Sequence, residues 1–326
     1  MAVDDAWFSR RELTPGRVVK QMLRRIPDPL KAPIRDSKLF HDLRTPWHAA
    51  KLARTTRRLD LSAAQFAHML HLSGLRLEGA SCLELGAGWV LTHALVCHLL
   101  GATRVVAVDV EPVARPDTIV HAVRTASPAV IRDMLAPFSD HAAVRARLDR
   151  LRAIRRFDRA VLAELGIDYV APIDLARQSL DQRFDFIYSL SVLEHVPVDD
   201  VPALLASLTR QLAPGGAMLH AIHLEDHLDF ATAPFAFLGQ RATPFSTREQ
   251  AQRGNRMRAS AWLRAFADQP GLDHSVLWCW QRRDRPLPAA LDAGLKYLDE
   301  EDLRTSHLGM LARPNGSAAS AAGGSR

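Results

Sequence analysis

The chain has 326 residues, 48% of them hydrophobic and 24% charged, enough for one large α/β domain with embellishments or for two domains. Its net charge is +6, but only five of the 42 basic residues are lysine (20, 31, 38, 51 and 296) and the arginines are spread along the chain, so no nucleic acid is expected as a partner. The three cysteines, Cys82, Cys97 and Cys279, make no CxxC pair, the first residues carry no apolar leader core, and no apolar run approaches the ~20 residues of a membrane span. The expectation is a cytoplasmic protein in a reducing compartment, with all three cysteines acting as small buried hydrophobes.

Residues 1–75 read as a helical N-terminal extension. Thr14-Pro15 is a helix start, followed by an apolar stripe of Val18, Val19, Met22, Leu23 and Ile26 with Arg17, Lys20, Arg24 and Arg25 on the remaining faces. Such a helix packs on its own domain as a lid or touches an anionic membrane, and both readings stay open. Two more helices are expected over 46–58 and 62–72. Strand and helix then alternate, which predicts a parallel sheet over a domain spanning 76–315. Strands are expected at 81–85, 104–109, 167–172, 184–190 and 217–224, with a helix at 198–212 ended by Pro214-Gly215-Gly216. The Arg-rich, mostly helical stretch 111–166 is longer than a simple crossover needs and reads as an insertion. A second insertion covers 226–258, a helix is expected over 259–268, the last two strands at 274–280 and 307–314, and the tail 316–326 is low in complexity.

The run CLELGAGWVLTHALVCHLLGATRVVAVDVE, from Cys82 to Glu111, holds the clearest chemistry. A strand ends at Glu84, a turn follows with Gly86 and Gly88, then an apolar helix, then a strand ending at Asp109. Glycine lets backbone approach a ligand, and a carboxylate ending the second strand can accept both hydroxyls of a ribose. A nicotinamide dinucleotide, and hence a reductase, requires G-x-G-x-x-G; the third glycine falls at Leu91 and is absent. A nucleoside cofactor without phosphates fits better, because it needs no anion cradle at the helix start.

On these residues the chain resembles the class I S-adenosylmethionine-dependent methyltransferases. ELGAGW resembles their first motif, with Val90 at its third glycine; APIDL (171–175), SLSVLEHVP (189–197) and APGGAMLH (213–220) resemble the later motifs in order. The resemblance implies a doubly wound, Rossmann-like α/β sheet of seven strands with an antiparallel last pair. It implies S-adenosyl-L-methionine as cofactor, with Gly86, Ala87, Gly88 and Trp89 beside its methionine and ribose, Asp109 on the ribose hydroxyls and Asp174 on the adenine amine. Glu84, Val110, Leu175 and Ser189 complete the implied cofactor set. A narrower likeness, carried by Gly88-Trp89, Tyr169 to Asp174, Val192 to Pro197, His220 to His227 and Asn255 to Arg258, is to poorly characterised methyltransferases of bacterial surface-polysaccharide and related biosynthetic gene groups; His223 stands where Asp is usual.

Methyl transfer from an activated sulfonium needs mainly alignment, which supplies roughly 7–11 kcal/mol of barrier lowering, and a base adds roughly 10²–10⁴-fold where the acceptor carries a proton. Candidate bases are His195, after strand four, and Asp226 and His227, beyond strand five. Strand alternation puts His220 and His223 on opposite faces. The cluster matches no strict zinc spacing, and no metal ligand is assigned. Arg256 and Arg258 either grip an acidic group of the acceptor or form a solvated helix start, and Trp262, Trp278 and Trp280 read as core or pocket wall. The expected function is methyl transfer to an oxygen or nitrogen of a small-molecule or glycan-type acceptor. The alternatives are a catalytically inactive binding or scaffold protein of the same fold, or a dinucleotide-dependent reductase.

Overall fold

The computed structural model describes residues 58–240 and 253–316. The helices expected from Thr14 and from Pro46 and the tail after residue 316 lie outside the described residues. The chain opens with α1 (Arg58–Ser73), β1 (Ser81–Leu85), α2 (Thr92–Leu99) and β2 (Arg104–Val108), then runs through α3 (Pro116–Arg124), α4 (Pro128–Leu135), α5 (His141–Ala153) and α6 (Arg159–Glu164) to β3 (Ile167–Val170). There follow β4 (Phe184–Leu190), α7 (Val201–Arg210), β5 (Leu212–His223), α8 (Ala259–Ala267), β6 (Leu272–Gln281), α9 (Glu300–Arg304) and β7 (Thr305–Pro314). Short 3₁₀ turns at Leu193–His195, Val198–Asp200 and Ala236–Gly239 punctuate the loops.

The seven strands form one sheet in the order β3-β2-β1-β4-β5-β7-β6. The first five are parallel, and β7 runs antiparallel to both β5 and β6. This is the Rossmann-like α/β sheet with the antiparallel last pair. Alternation along each strand divides the core in two: Val105 and Ala107 of β2 enter one face, Val106 and Val108 the other. Chain order reverses between β1 and β4, which opens a crevice beyond their carboxyl ends.

One face is covered by α1, α2 and the helices of the 111–166 stretch, whose Ile119, Ile131, Leu135, Val144 and Leu148 share a single buried cluster with Phe66 of α1 and Tyr188 of β4. That stretch is helical for local reasons. Pro116 and Pro128 sit in the first turns of α3 and α4, and Ser127, Asp140 and Asp158 cap α4, α5 and α6 by accepting the N–H groups of Val130, Ala143 and Val161. Helix α1 falls in the part of the chain read as the N-terminal extension, and Leu59, Ala63, Phe66 and Met69 place it in that same core. The other face is covered by α7 and α8, with Leu205, Leu208, Trp262 and Phe266 fully buried.

Two features differ from the sequence expectation. β5 begins at Leu212 rather than after the Pro214-Gly215-Gly216 turn: Leu212 pairs with Phe184, the turn bulges, and pairing resumes at Ala217 with Phe186. Cys279 is exposed, whereas Cys82 and Cys97 are buried. On the edge strand β6 the residues on either side of it, Trp278 and Trp280, turn inward against His68 of α1, which leaves Cys279 on the outer side. Among the described residues no helix is long and apolar enough to cross a membrane.

Candidate active site

The turn after β1 is held by the neighbouring strand. The N–H groups of Gly86 and Ala87 both donate to the Val108 carbonyl at 2.9 Å. The N–H of Gly88 donates to Asp109 Oδ2 at 2.8 Å, and the N–H of Glu111 donates to Oδ1 at 3.0 Å. The acid at the end of β2 therefore pins the glycine turn and its own following loop, while each oxygen keeps a lone pair for an outside hydroxyl. Gly86 and Gly88 have φ of +74° and +64°, where L residues are strained. A Cβ on Gly88 would meet only open space; one on Gly86 would overlap the Val192 side chain. Gly88→Ala is accordingly expected to cost about 1 kcal/mol of stability, and Gly86→Ala about 1–3 kcal/mol more from overpacking. Urea unfolding of the two variants side by side checks this; equal midpoints would contradict the Val192 contact.

Leu91, at the position of the missing third glycine, takes a left-handed conformation with φ of +50° and is fully buried in the α1/α2 core. The contact between α2 and the sheet is thus made by a leucine side chain rather than by backbone at close approach.

The other residues expected at the cofactor fall into two groups. Trp89, Asp109, Val110 and Asp174 lie at the open carboxyl edge: Val110 is 65% exposed, and Asp174 accepts the Ala176 N–H and pairs with Arg177, which also reaches Asp200 at 2.9 Å. Trp89 is tied to α3, its carbonyl accepting from the Thr118 hydroxyl at 2.8 Å. Glu84, Leu175 and Ser189 are buried beneath them. Burial pushes the Glu84 carboxyl up, partly offset by His93 at 3.4 Å, and its Oε2 has no hydrogen-bond partner. The Ser189 hydroxyl is committed to His220 Nδ1 at 2.8 Å, inside the core. Burial pushes the His220 imidazole down to about 3, so it is neutral at physiological pH.

Beyond the ends of β4 and β5 four imidazoles adjoin. His195 meets His227 edge-on at 4.4 Å between ring centroids, His227 lies 4.3 Å from His223, and His223 stacks on His307 at 4.4 Å. Two buried carboxylates flank them. Glu194 Oε1 lies 3.2 Å from His227 Nε2, and Glu225 Oε2 lies 2.8 Å from His223 Nε2. Burial alone would raise the Glu194 carboxyl, but the imidazoles of His227, His195 and His223 outweigh it and hold the group below its ordinary range. Burial, with His223 alongside, pushes His227 down, so its ring is neutral near pH 7. Glu225 is also bound by Arg282 Nη1 at 2.8 Å. Arg282 and His307 carry no local sequence signal; they arrive on β6–β7 through the sheet order.

Three candidates are corrected. Asp226 is 2% exposed, with Oδ1 accepting the Leu228 N–H and Oδ2 paired to Arg253, each at 2.8 Å, so its carboxylate braces the loop and is not available as a base. Arg258 is fully buried and donates to the carbonyls of Leu224, Asp302, Leu303 and Thr305. Arg256 donates to the Phe237 and Gln240 carbonyls and pairs with Asp292 at 2.9 Å. Both arginines tie the loop to the fold and neither offers a free guanidinium to an acceptor.

A family model described as a methyltransferase domain matches residues 49–273. Similar solved structures include an S-adenosylmethionine-dependent methyltransferase from Mesorhizobium loti, 20% identical over 77% of this chain and 97% of that one, with a TM-score of 0.43. The DhpI–SAH complex is 20% identical over 77% and 84% of the two chains with a TM-score of 0.37, and the N-methyltransferase NodS from Bradyrhizobium japonicum 15% identical over 77% and 97% with a TM-score of 0.35. No curated protein matches the chain.

Proposed function

The chain belongs to the methyltransferase-domain family and is a class I S-adenosylmethionine-dependent methyltransferase, and on that premise we propose that it transfers the methyl group by in-line displacement to an oxygen or nitrogen of a small-molecule or glycan-type acceptor. The observation that carries the placement of the cofactor is the Asp109 carboxylate, which holds the Gly88 N–H and still faces the open edge of the sheet. In this reading Gly86, Ala87, Gly88 and Trp89 border the methionine and ribose, Asp109 takes the ribose hydroxyls, exposed Val110 lies under the adenine, and Asp174 meets its amine. Glu84, Leu175 and Ser189 support that floor from within.

The acceptor then approaches over the ends of β4 and β5. Its lone pair forms the new bond to the methyl carbon as the carbon–sulfur bond breaks, leaving S-adenosylhomocysteine. An acceptor proton leaves to His195, which borders His227 on the outer side of the imidazole cluster. The acceptor class rests on the motif likeness of residues 169–174, 220–227 and 255–258.

Calorimetric and thermal titration with S-adenosylmethionine, S-adenosylhomocysteine and NAD tests the reading. Either adenosyl ligand at 100 times its dissociation constant should stabilise the fold by about 2.7 kcal/mol, and NAD by nothing. No response to either adenosyl ligand would overturn the assignment of this crevice.

A further inference from the structure

We propose that Glu194, His223 and His227 form a binding site for one divalent transition-metal ion of the zinc class. The binding site stands on its own geometry; its role in catalysis rests on the methyl-transfer reading above. One ligand atom from each of the three residues lies within 4.8 Å of the other two. Ligands about 2.0–2.2 Å from a tetrahedral ion are about 3.3–3.6 Å apart, and Glu194 Oε1 and His227 Nε2 already stand at 3.2 Å.

Glu194 is 2% exposed, and neither of its carboxylate oxygens has a hydrogen-bond partner; His227 Nε2, despite its closeness to Oε1, has none either. Even with imidazoles nearby, buried carboxylate oxygens that accept no hydrogen bond are under-satisfied, and a cation between the two side chains supplies the missing partner. His223 is oriented as a metal-bound histidine commonly is. Its Nε2 is engaged by the Glu225 carboxylate at 2.8 Å, which leaves Nδ1 for the ion, and Glu225 is itself fixed by Arg282 at 2.8 Å. Two imidazoles and a carboxylate suit zinc and its first-row neighbours better than magnesium or calcium.

A second triad, His223, Glu225 and His307, has similar spacing. Its carboxylate is already paired with Arg282, so an ion there would face a guanidinium; the Glu194 carboxylate is paired instead with the His227 imidazole, itself a ligand of the site. An ion at the Glu194 triad would lie beside His195, where the acceptor is placed, and would polarise an acceptor oxygen and favour loss of its proton.

The protein loaded with Zn²⁺ and desalted should hold one ion per chain. Glu194→Gln and His227→Ala should each weaken Zn²⁺ affinity at least tenfold, measured by chelator competition, while His307→Gln keeps it. Co²⁺ in the unaltered protein should give the intense visible bands of a tetrahedral N,O site, which tests the site without any variant. A chain that retains no Zn²⁺, His227→Ala that retains as much as the unaltered protein, or a Co²⁺ spectrum of the aqua ion alone would each overturn the proposal. S-adenosylhomocysteine titrated into the same samples separates the two readings: binding there without any ion leaves methyl transfer standing and removes only the metal.

Discussion

Asp109→Ala should weaken S-adenosylhomocysteine binding at least a hundredfold. Two effects combine. The carboxylate would lose its charge-assisted bonds to the ribose hydroxyls, and hydrogen bonds to charged groups are worth about 1.5–3 kcal/mol each. It would also release the N–H groups of Gly88 and Glu111, which it now accepts at 2.8 and 3.0 Å, so the glycine turn would no longer be held ready for the ligand. Asp109→Asn keeps one acceptor oxygen but exchanges the other for a donor, which faces the Gly88 N–H or the Glu111 N–H, and should recover only part of the loss. Because Asp109 lies at the open edge of the sheet, the urea midpoint of the unliganded variant should move far less than the affinity. Titration calorimetry is the decisive measurement. An Asp109→Ala chain that binds within threefold of the unaltered protein would place the ribose elsewhere.

What the sequence reveals and what it hides follow from the range of the interactions. The cofactor edge is legible because its parts are contiguous: Glu84 to Trp89 is one strand and one turn, and Asp109 ends the next strand, in register with β1 through Leu85 and Val108. The parallel strands are legible as short apolar runs buried on both faces. Cys279 was within reach of the same reasoning, since Trp278 and Trp280 flank it and period-2 alternation cannot bury all three on one face. The arginines were not. Nothing within a few residues of Arg258 marks it as internal, because its partners are the carbonyls of Leu224 and of α9 and β7, far away in the chain.

The imidazole cluster is a similar case. Glu194 and His223 are remote in sequence, but β4 and β5 are neighbours in the sheet, with Ser189 opposite His220 and Leu190 opposite Ala221. Once that register is known, the residues just beyond both strands must meet at the same edge. His307 joins them because β7 pairs with β5, placing it opposite His223. The sheet order thus assembles one polar centre from three strand ends that share no motif. The loop carrying Asp226 and His227 is fastened over it by Arg253 and by the buried Arg258, so the stability of that loop and the geometry of the acceptor side are one matter.

Arg258→Met should destabilise the fold by about 3–5 kcal/mol, the cost typical of removing one partner from a buried charged network. The guanidinium is fully buried and lies 6.0 Å from the Phe235 ring. Nη1 donates to the Leu224 carbonyl at 2.7 Å, and Nη2 to those of Thr305 at 2.6 Å and Leu303 at 2.9 Å. Of the carbonyls it serves, that of Leu303 lies in the last turn of α9, where helix carbonyls run out of intrahelical donors, while that of Asp302 also accepts the Thr305 N–H. Methionine fills similar volume but withdraws all of the guanidinium's donors from these buried carbonyls. Burial pushes the Arg258 pKa down to about 10, which still leaves it charged at neutral pH. Lysine should recover little, because a single ammonium cannot span carbonyls from β5, α9 and β7 as the planar fork does. Urea unfolding of the Met and Lys variants, with a domain stability of about 5–15 kcal/mol to lose from, measures the effect directly. A side chain reserved for an acidic acceptor would behave differently: Arg258→Met would keep its unfolding midpoint and raise KM for the acceptor, and a midpoint within 1 kcal/mol of the unaltered protein would return Arg258 to the acceptor side.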